Sequence, residues 1–181
     1  LPSQKQWVGY SDDLNQRTTV DFDSGAITVE VHQSLTSQQV SALAKKTIAK
    51  LTKTSISDTL AKDPIVQSVN KQLTKSDKKL AITSSTKPLL AKKHIGELAN
   101  ITSQSQQQKT VITIPLRPSL LSENAQRYYP LAQKQAIKWK IPTSLILAII
   151  HTESSFNPLA RSHIPAFGLM QIVPGSAGKD V

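Results

Sequence analysis

The chain has no cysteine among its 181 residues. Disulfides, thiolate metal sites and a cysteine nucleophile are therefore excluded, and every redox compartment stays open. Aromatic residues make up only 4% of the chain. There is no interleaving of aromatic and basic side chains of the kind that stacks nucleic-acid bases, so no nucleic-acid partner is expected. The longest strongly apolar run, "LILAII", is far too short to cross a bilayer. The opening "LPSQKQWVGY" lacks the basic start and apolar core of a signal peptide. The sparse glycines form no phosphate-cradling loop. His32, His94, His151 and His163 never fall at metal-ligand spacing, so neither a metal nor a cofactor is expected. Ser154 and Ser155 lack a Gly-x-Ser-x-Gly elbow, which argues against a serine hydrolase. Asp12-Asp13 and the Asp21/Asp23 pair could bind a cation, but turn chemistry explains them more simply.

What the chain does have is a formal charge of +10, with 38% hydrophobic and 19% charged residues. That balance belongs to a globular protein. The positive charge is spread along both halves without a block of like residues. Such a diffuse field favours polyanions in general, wall polymers and anionic lipid included, without choosing among them.

Along the chain, "RTTVDFDSGAITVEV" alternates Val20/Phe22 and Ile27/Val29/Val31 around Asp23-Ser24-Gly25, which predicts a β-hairpin. Thr36 followed by Gln39 is a capping box, and Val40, Leu43, Ala44, Ile48 and Leu51 fall at helical spacing behind it. Further helices are predicted from Pro64 and in "PLLAKKHIGELA", with "SQSQQQ" (103–108) as a loop. "KTVITIPL" alternates again and is expected to return to the hairpin's sheet. Residues 1–116 thus read as a small α+β domain with a short antiparallel sheet and helices on one side. Two prolines in "IPLRPSLLSE" suggest a linker at 117–126. Beyond it strand signals stop: "AQRYYPLAQKQAIKWK" is helical, with Pro130 at its first turn or at a kink. "PTSLILAIIHTE" is a helix apolar almost all round, expected to be buried on most sides.

That last helix ends on Glu153, with Ile146, Ile149 and Ile150 on the same face. If the face is buried, desolvation and the helix C-terminus both favour the protonated carboxyl, as a general acid requires. A helix-ending glutamate turned to water fits the same residues. After Glu153 come Phe156, Asn157-Pro158, Gly168, the only methionine (Met170), and Gln171 with both a donor and an acceptor. A saccharide site combines such groups with apolar walls; a loop and a core methionine also account for them.

"ESSFNPLARSHIPAFGLMQIVPGSAG" resembles the signature of the lytic transglycosylases of the soluble-lytic-transglycosylase type, whose fold is similar to goose-type lysozyme. Together with "YSDDLNQRTTVDFDSGAITVEV" upstream, it resembles the membrane-bound members in which an N-terminal domain precedes the catalytic one. The resemblance implies an α+β domain followed by the start of an all-α, lysozyme-like domain at 127–181. It implies cleavage of the β-1,4 bond between N-acetylmuramic acid and N-acetylglucosamine in peptidoglycan, ending in a 1,6-anhydro sugar. Glu153 matches the family's single acid/base. Ser162 matches the serine beside the bond, Met170 and Gln171 the segment lining the saccharide groove, and Phe156 an aromatic near the site. A single acid is consistent with the sequence, since from 124 to 179 Glu153 is the only one; an ordinary glycosidase uses two. Pro165 and Val173 depart from the family's usual residues.

The implied partners are peptidoglycan glycan strands. The implied place is the periplasmic side of the outer membrane, through a lipid anchor absent from this chain. The family's catalytic domain is longer than 127–181, so this chain is expected to be an incomplete form. A different class of function, a non-catalytic peptidoglycan-binding or scaffold fragment, fits the basic 1–116 portion.

Overall fold

The computed structural model describes residues 3–61, 88–106, 108–164 and 166–176. Strand β2 (Gln16–Asp21) and strand β3 (Ala26–Val31) form the expected hairpin. Its turn closes through the Gly25 N–H to the Asp21 carbonyl (3.1 Å), and Gly25 takes φ +70°, where a side chain would be strained. The Asp21 carboxylate accepts the N–H groups of Asp23 and Ser24, both at 2.9 Å, so turn chemistry does explain Asp21.

Strand β1 (Gln6–Tyr10) pairs with β2, and strand β5 (Lys109–Pro115) returns antiparallel to β3, as its alternation predicts. The sheet has five strands in the order β1-β2-β3-β5-β4, all antiparallel. Strand β4 (Thr102–Gln106) corrects the expectation of a loop there. Every residue of TSQSQ is exposed, so no face of β4 carries the apolar alternation that marks a strand. Backbone pairing with β5 holds it, and short polar edge strands of this kind discourage intermolecular pairing.

Alternate residues of the sheet, among them Val20, Ile27, Val29, Ile112 and Ile114, face one core. Helix α1 (Ser37–Lys53) covers it with Val40, Ala44 and Leu51. The Thr36/Gln39 capping box is formed, with Leu43 and Ile48 at the core's margin. Each fully buried Val or Ile here contributes about 1.5–3 kcal/mol relative to exposure. A short helix α2 (Ile56–Ala61) follows; the helix predicted from Pro64 lies outside the described residues.

"PLLAKKHIGELA" is not one α-helix but two 3₁₀ turns, Lys92–His94 and Leu98–Asn100. Tertiary contacts override the helical spacing. Leu89, Leu90 and Ile95 enter the sheet's core, Ile95 bridges Leu116, and the Gly96 N–H reaches the Pro115 carbonyl at 2.9 Å. A Cβ at Gly96 would meet that same oxygen at 2.7 Å.

Helix α3 (Leu120–Trp139) starts inside the proline-bearing stretch expected to be a linker, which makes Pro130 interior rather than first-turn. It buries a strict i+4 stripe: Leu120, Asn124, Tyr128, Ala132 and Ala136. Leu120 belongs to the sheet's core, and Tyr128 onward to a second one. Lys140 ends the helix in the left-handed conformation with its N–H on the Ala136 carbonyl. Helix α4 (Thr143–Ser154) then packs back on α3. Its burial is narrower than its composition predicts. Only Ile146, Ile150 and Ser154 are buried, while Leu145 is 49% and Ile149 37% exposed. Its main packing partner among the described residues is α3, which covers one stripe. Among the described residues, no helix is long and apolar enough to cross a membrane.

Candidate active site

The site is built on the C-terminal end of α4. Glu153 is half-buried in the helix's last turn, at the margin between buried Ile146 and Ile150 and exposed Ile149. Among the described residues, no hydrogen bond or ion pair engages its carboxylate. The chain then reverses through two consecutive left-handed residues, Ser155 (φ +47°) and Phe156 (φ +62°). Non-glycine residues rarely adopt this conformation, and for a bulky one such as phenylalanine it is a strained state that persists only where surroundings impose it.

The surroundings are visible. Ser155 caps the helix with its N–H on the His151 carbonyl (2.9 Å), and the Asn157 N–H reaches the Ser154 carbonyl (2.9 Å). The Asn157 side chain accepts the Leu159 N–H (3.0 Å) and donates to the Gln4 carbonyl (3.3 Å). Ser154 donates to the Ile150 carbonyl (3.0 Å) and stands 2.9 Å from the Leu169 carbonyl. Ser154, Ser155 and Asn157 are all fully buried, so each polar group needs such a partner. Leu159 packs against the sheet's core, and Ser155 donates its hydroxyl to Asp23 of the β2–β3 turn at 2.9 Å.

The loop after Asn157-Pro158 folds over this turn. The Gly168 N–H bonds to the Ala160 carbonyl (2.9 Å), and Phe167 pairs with both Arg161 and Ile172. Met170 stands 37% exposed at the loop's crest. Gln171, in the left-handed conformation at φ +49°, donates to the Gly168 carbonyl (2.9 Å), and its amide oxygen is buried with no hydrogen-bond partner among the described residues. Such an oxygen is an acceptor shielded from bulk water.

The expected site residues therefore separate. The Ser154 hydroxyl, 2.9 Å from the Leu169 carbonyl, brings the helix end carrying Glu153 against the loop carrying Met170 and Gln171. Ser162 belongs to the same loop, but its hydroxyl is used locally: it donates to the Ile164 carbonyl and accepts the Ala166 N–H at 3.3 Å. Phe156, expected among the substrate-binding residues, is instead a core side chain, 3% exposed. Its ring stacks on both Tyr128 and His151, and so little of it is exposed that it offers no surface to a sugar. Pro165 lies outside the described residues. Asp23, Gln4 and Asn157 support the helix end without a sequence signal for it. Ser155 and Asp23 are 132 positions apart, beyond the reach of local pattern.

The helix end carrying Glu153 and the loop carrying Met170 and Gln171 thus meet where Ser154 approaches Leu169. Residues 130–181 match the Transglycosylase SLT domain. Residues 1–97 match the N-terminal domain of membrane-bound lytic murein transglycosylase C. The chain belongs to the membrane-bound lytic murein transglycosylase C family. It is similar along its whole length to proteins of that name from Serratia proteamaculans (strain 568), at 34% identity, and Yersinia pestis (strain Pestoides F), at 31%. A similar protein from Yersinia pseudotuberculosis serotype O:1b (strain IP 31758) is also 31% identical. The chain covers 52% of each of these relatives, so it spans about half the length of the curated proteins it matches.

Proposed function

We propose that the protein to which this sequence belongs cleaves the β-1,4 bond between N-acetylmuramic acid and N-acetylglucosamine in peptidoglycan, with Glu153 as the only acid/base. Glu153 gives its proton to the glycosidic oxygen as the bond to C1 breaks. The resulting carboxylate then takes the proton of the muramic acid 6-hydroxyl, whose oxygen closes onto C1. The product is a 1,6-anhydro end, and the glutamate is returned to its protonated form. The internal hydroxyl takes the place of the second carboxylate and water of an ordinary glycosidase.

The observation that carries this reading is the approach of the Ser154 hydroxyl to the Leu169 carbonyl, 2.9 Å. It ties the residue after Glu153 to the loop bearing Met170 and Gln171. Apolar surface at Met170 and Ile149, the shielded acceptor of Gln171 and an unengaged carboxylate are the elements of a saccharide-cleaving groove. Ser162, in this reading, shapes the same loop through its bonds to Ile164 and Ala166. In this reading residues 127–181 begin the catalytic domain and residues 1–116 form a separate domain that precedes it. Both are carried in the periplasm on the outer membrane by a lipid anchor outside the given sequence, consistent with relatives named as membrane-bound.

The test is product mass after digestion of purified sacculi by the full-length protein carrying this sequence. Ends lighter by one water than hydrolysed muropeptides are expected. Glu153→Gln should lower the rate by about 10²–10⁴-fold, the usual contribution of a positioned acid/base. Hydrolysed ends, or full activity in Glu153→Gln, would overturn the proposal.

A further inference from the structure

The buried hydroxyl of Ser155 is two residues from Glu153 and, among the described residues, has one partner, the carboxylate of Asp23 at 2.9 Å. Asp23 is not a loose surface acid. It pairs with the Lys5 ammonium at 3.0 Å, and the Lys5 carbonyl in turn accepts the Phe22 N–H at 3.0 Å. Immediately before Lys5, the Gln4 carbonyl accepts the Asn157 side-chain amide. The segment Gln4-Lys5 and the β2–β3 turn thus form one brace, and it grips both ends of the left-handed Ser155–Phe156 step.

A helix end left in two consecutive left-handed residues would relax without external restraint. Where it relaxes, the last turn and Glu153 move with it. We propose that Asp23 is a positioning residue for Glu153: through Ser155, the β2–β3 turn fixes where α4 ends and so where the carboxyl group meets the glycosidic oxygen. The proposal rests on the reading of Glu153 as acid/base. It also gives the N-terminal sheet a part in the chemistry rather than in tethering alone. The Lys5 ammonium, and after it the bond from Ser155, holds the Asp23 carboxyl below its usual range, as expected of an acceptor kept ionised.

The experiment is a double-mutant cycle in the full-length protein on soluble glycan strands of defined length, reading kcat, KM and the thermal midpoint. Asp23→Ala should lower kcat about tenfold with KM changed by no more than about twofold, because a misplaced acid acts on the transition state and not on binding. Ser155→Ala should do the same, and the double variant should be no slower than either single one. Asp23→Asn keeps an acceptor oxygen for the Ser155 hydroxyl and should recover most of the lost kcat.

A kcat for Asp23→Ala within about twofold of the parent, or losses that multiply in the double variant, would overturn the proposal. The same holds if the kcat loss merely follows the unfolded fraction. If Asp23→Ala does not fold at the assay temperature, Ser155→Ala alone decides by the same split of kcat from KM. Glu153→Gln, run alongside, separates the two ideas. An active Glu153→Gln removes the acid/base reading and this proposal with it. An inactive one with an unaffected Asp23→Ala removes this proposal alone.

Discussion

The ring of Phe156 lies parallel to that of Tyr128, with centroids 6.3 Å apart and 6° between the planes. His151 also stacks on Phe156, at 6.1 Å and 19°. The three rings pin a left-handed phenylalanine to α3 and to the preceding turn of α4. Phe156→Ala should therefore lower the unfolding free energy by about 3–5 kcal/mol, the usual cost of deleting a buried phenyl ring. Chemical denaturation measures this. A loss below about 1 kcal/mol would show that the stack does not hold the turn.

His94 ties the segment before β4 to α3. It is 5% exposed, accepts the Ala91 N–H at Nδ1 (3.2 Å) and stands 3.4 Å from Glu123. Burial lowers its pKa from the ordinary 6.5, Glu123 opposes that shift, and Lys93 adds to it. A lowered folded-state value means that the unfolded chain takes up the proton first. The stability is then fully present above about pH 6.5 and is lost as pH falls below it. Unfolding free energies measured from pH 7.5 down to 5 should decline more steeply in the parent than in His94→Asn. Parallel curves would contradict this.

Gln171 is the third case. Among the described residues, its side-chain amide makes one hydrogen bond, to the Gly168 carbonyl, while its buried oxygen makes none. Losing the bond destabilises and losing the unpaired oxygen stabilises, so the two effects oppose each other in Gln171→Ala. The thermal midpoint should barely move. If the oxygen meets a sugar donor, KM on glycan strands should rise about 2–10-fold, the worth of one hydrogen bond. An unchanged KM would place Gln171 outside the groove.

The parts of this protein written in its sequence are those whose cause is local. Strand alternation in "TVDFDSGAITVEV" and "KTVITIPL", the Thr36/Gln39 box and the apolar stripe of α1 all reappear because each depends on residues a few positions apart. The motif from Glu153 to Gln171 was legible as a motif for the same reason. β4 was not, since its polar residues have no buried face and only pairing with β5 makes them a strand. Residues 88–99 have a helical pattern, but the sheet's core takes Leu89, Leu90 and Ile95 and leaves only short turns.

The candidate site divides along the same line. From the order of residues alone it follows that one isolated acid ends an apolar helix and that Gly-Leu-Met-Gln comes after it. Only the tertiary structure decided that Phe156 would be core, that Ser162 would spend its hydroxyl within its own loop, and that Asp23 would hold Ser155. Hydrophobic periodicity and capping act over one or two turns of chain. A buried hydroxyl, by contrast, takes whichever acceptor the fold brings to it, and here that acceptor came from a hairpin 132 residues earlier.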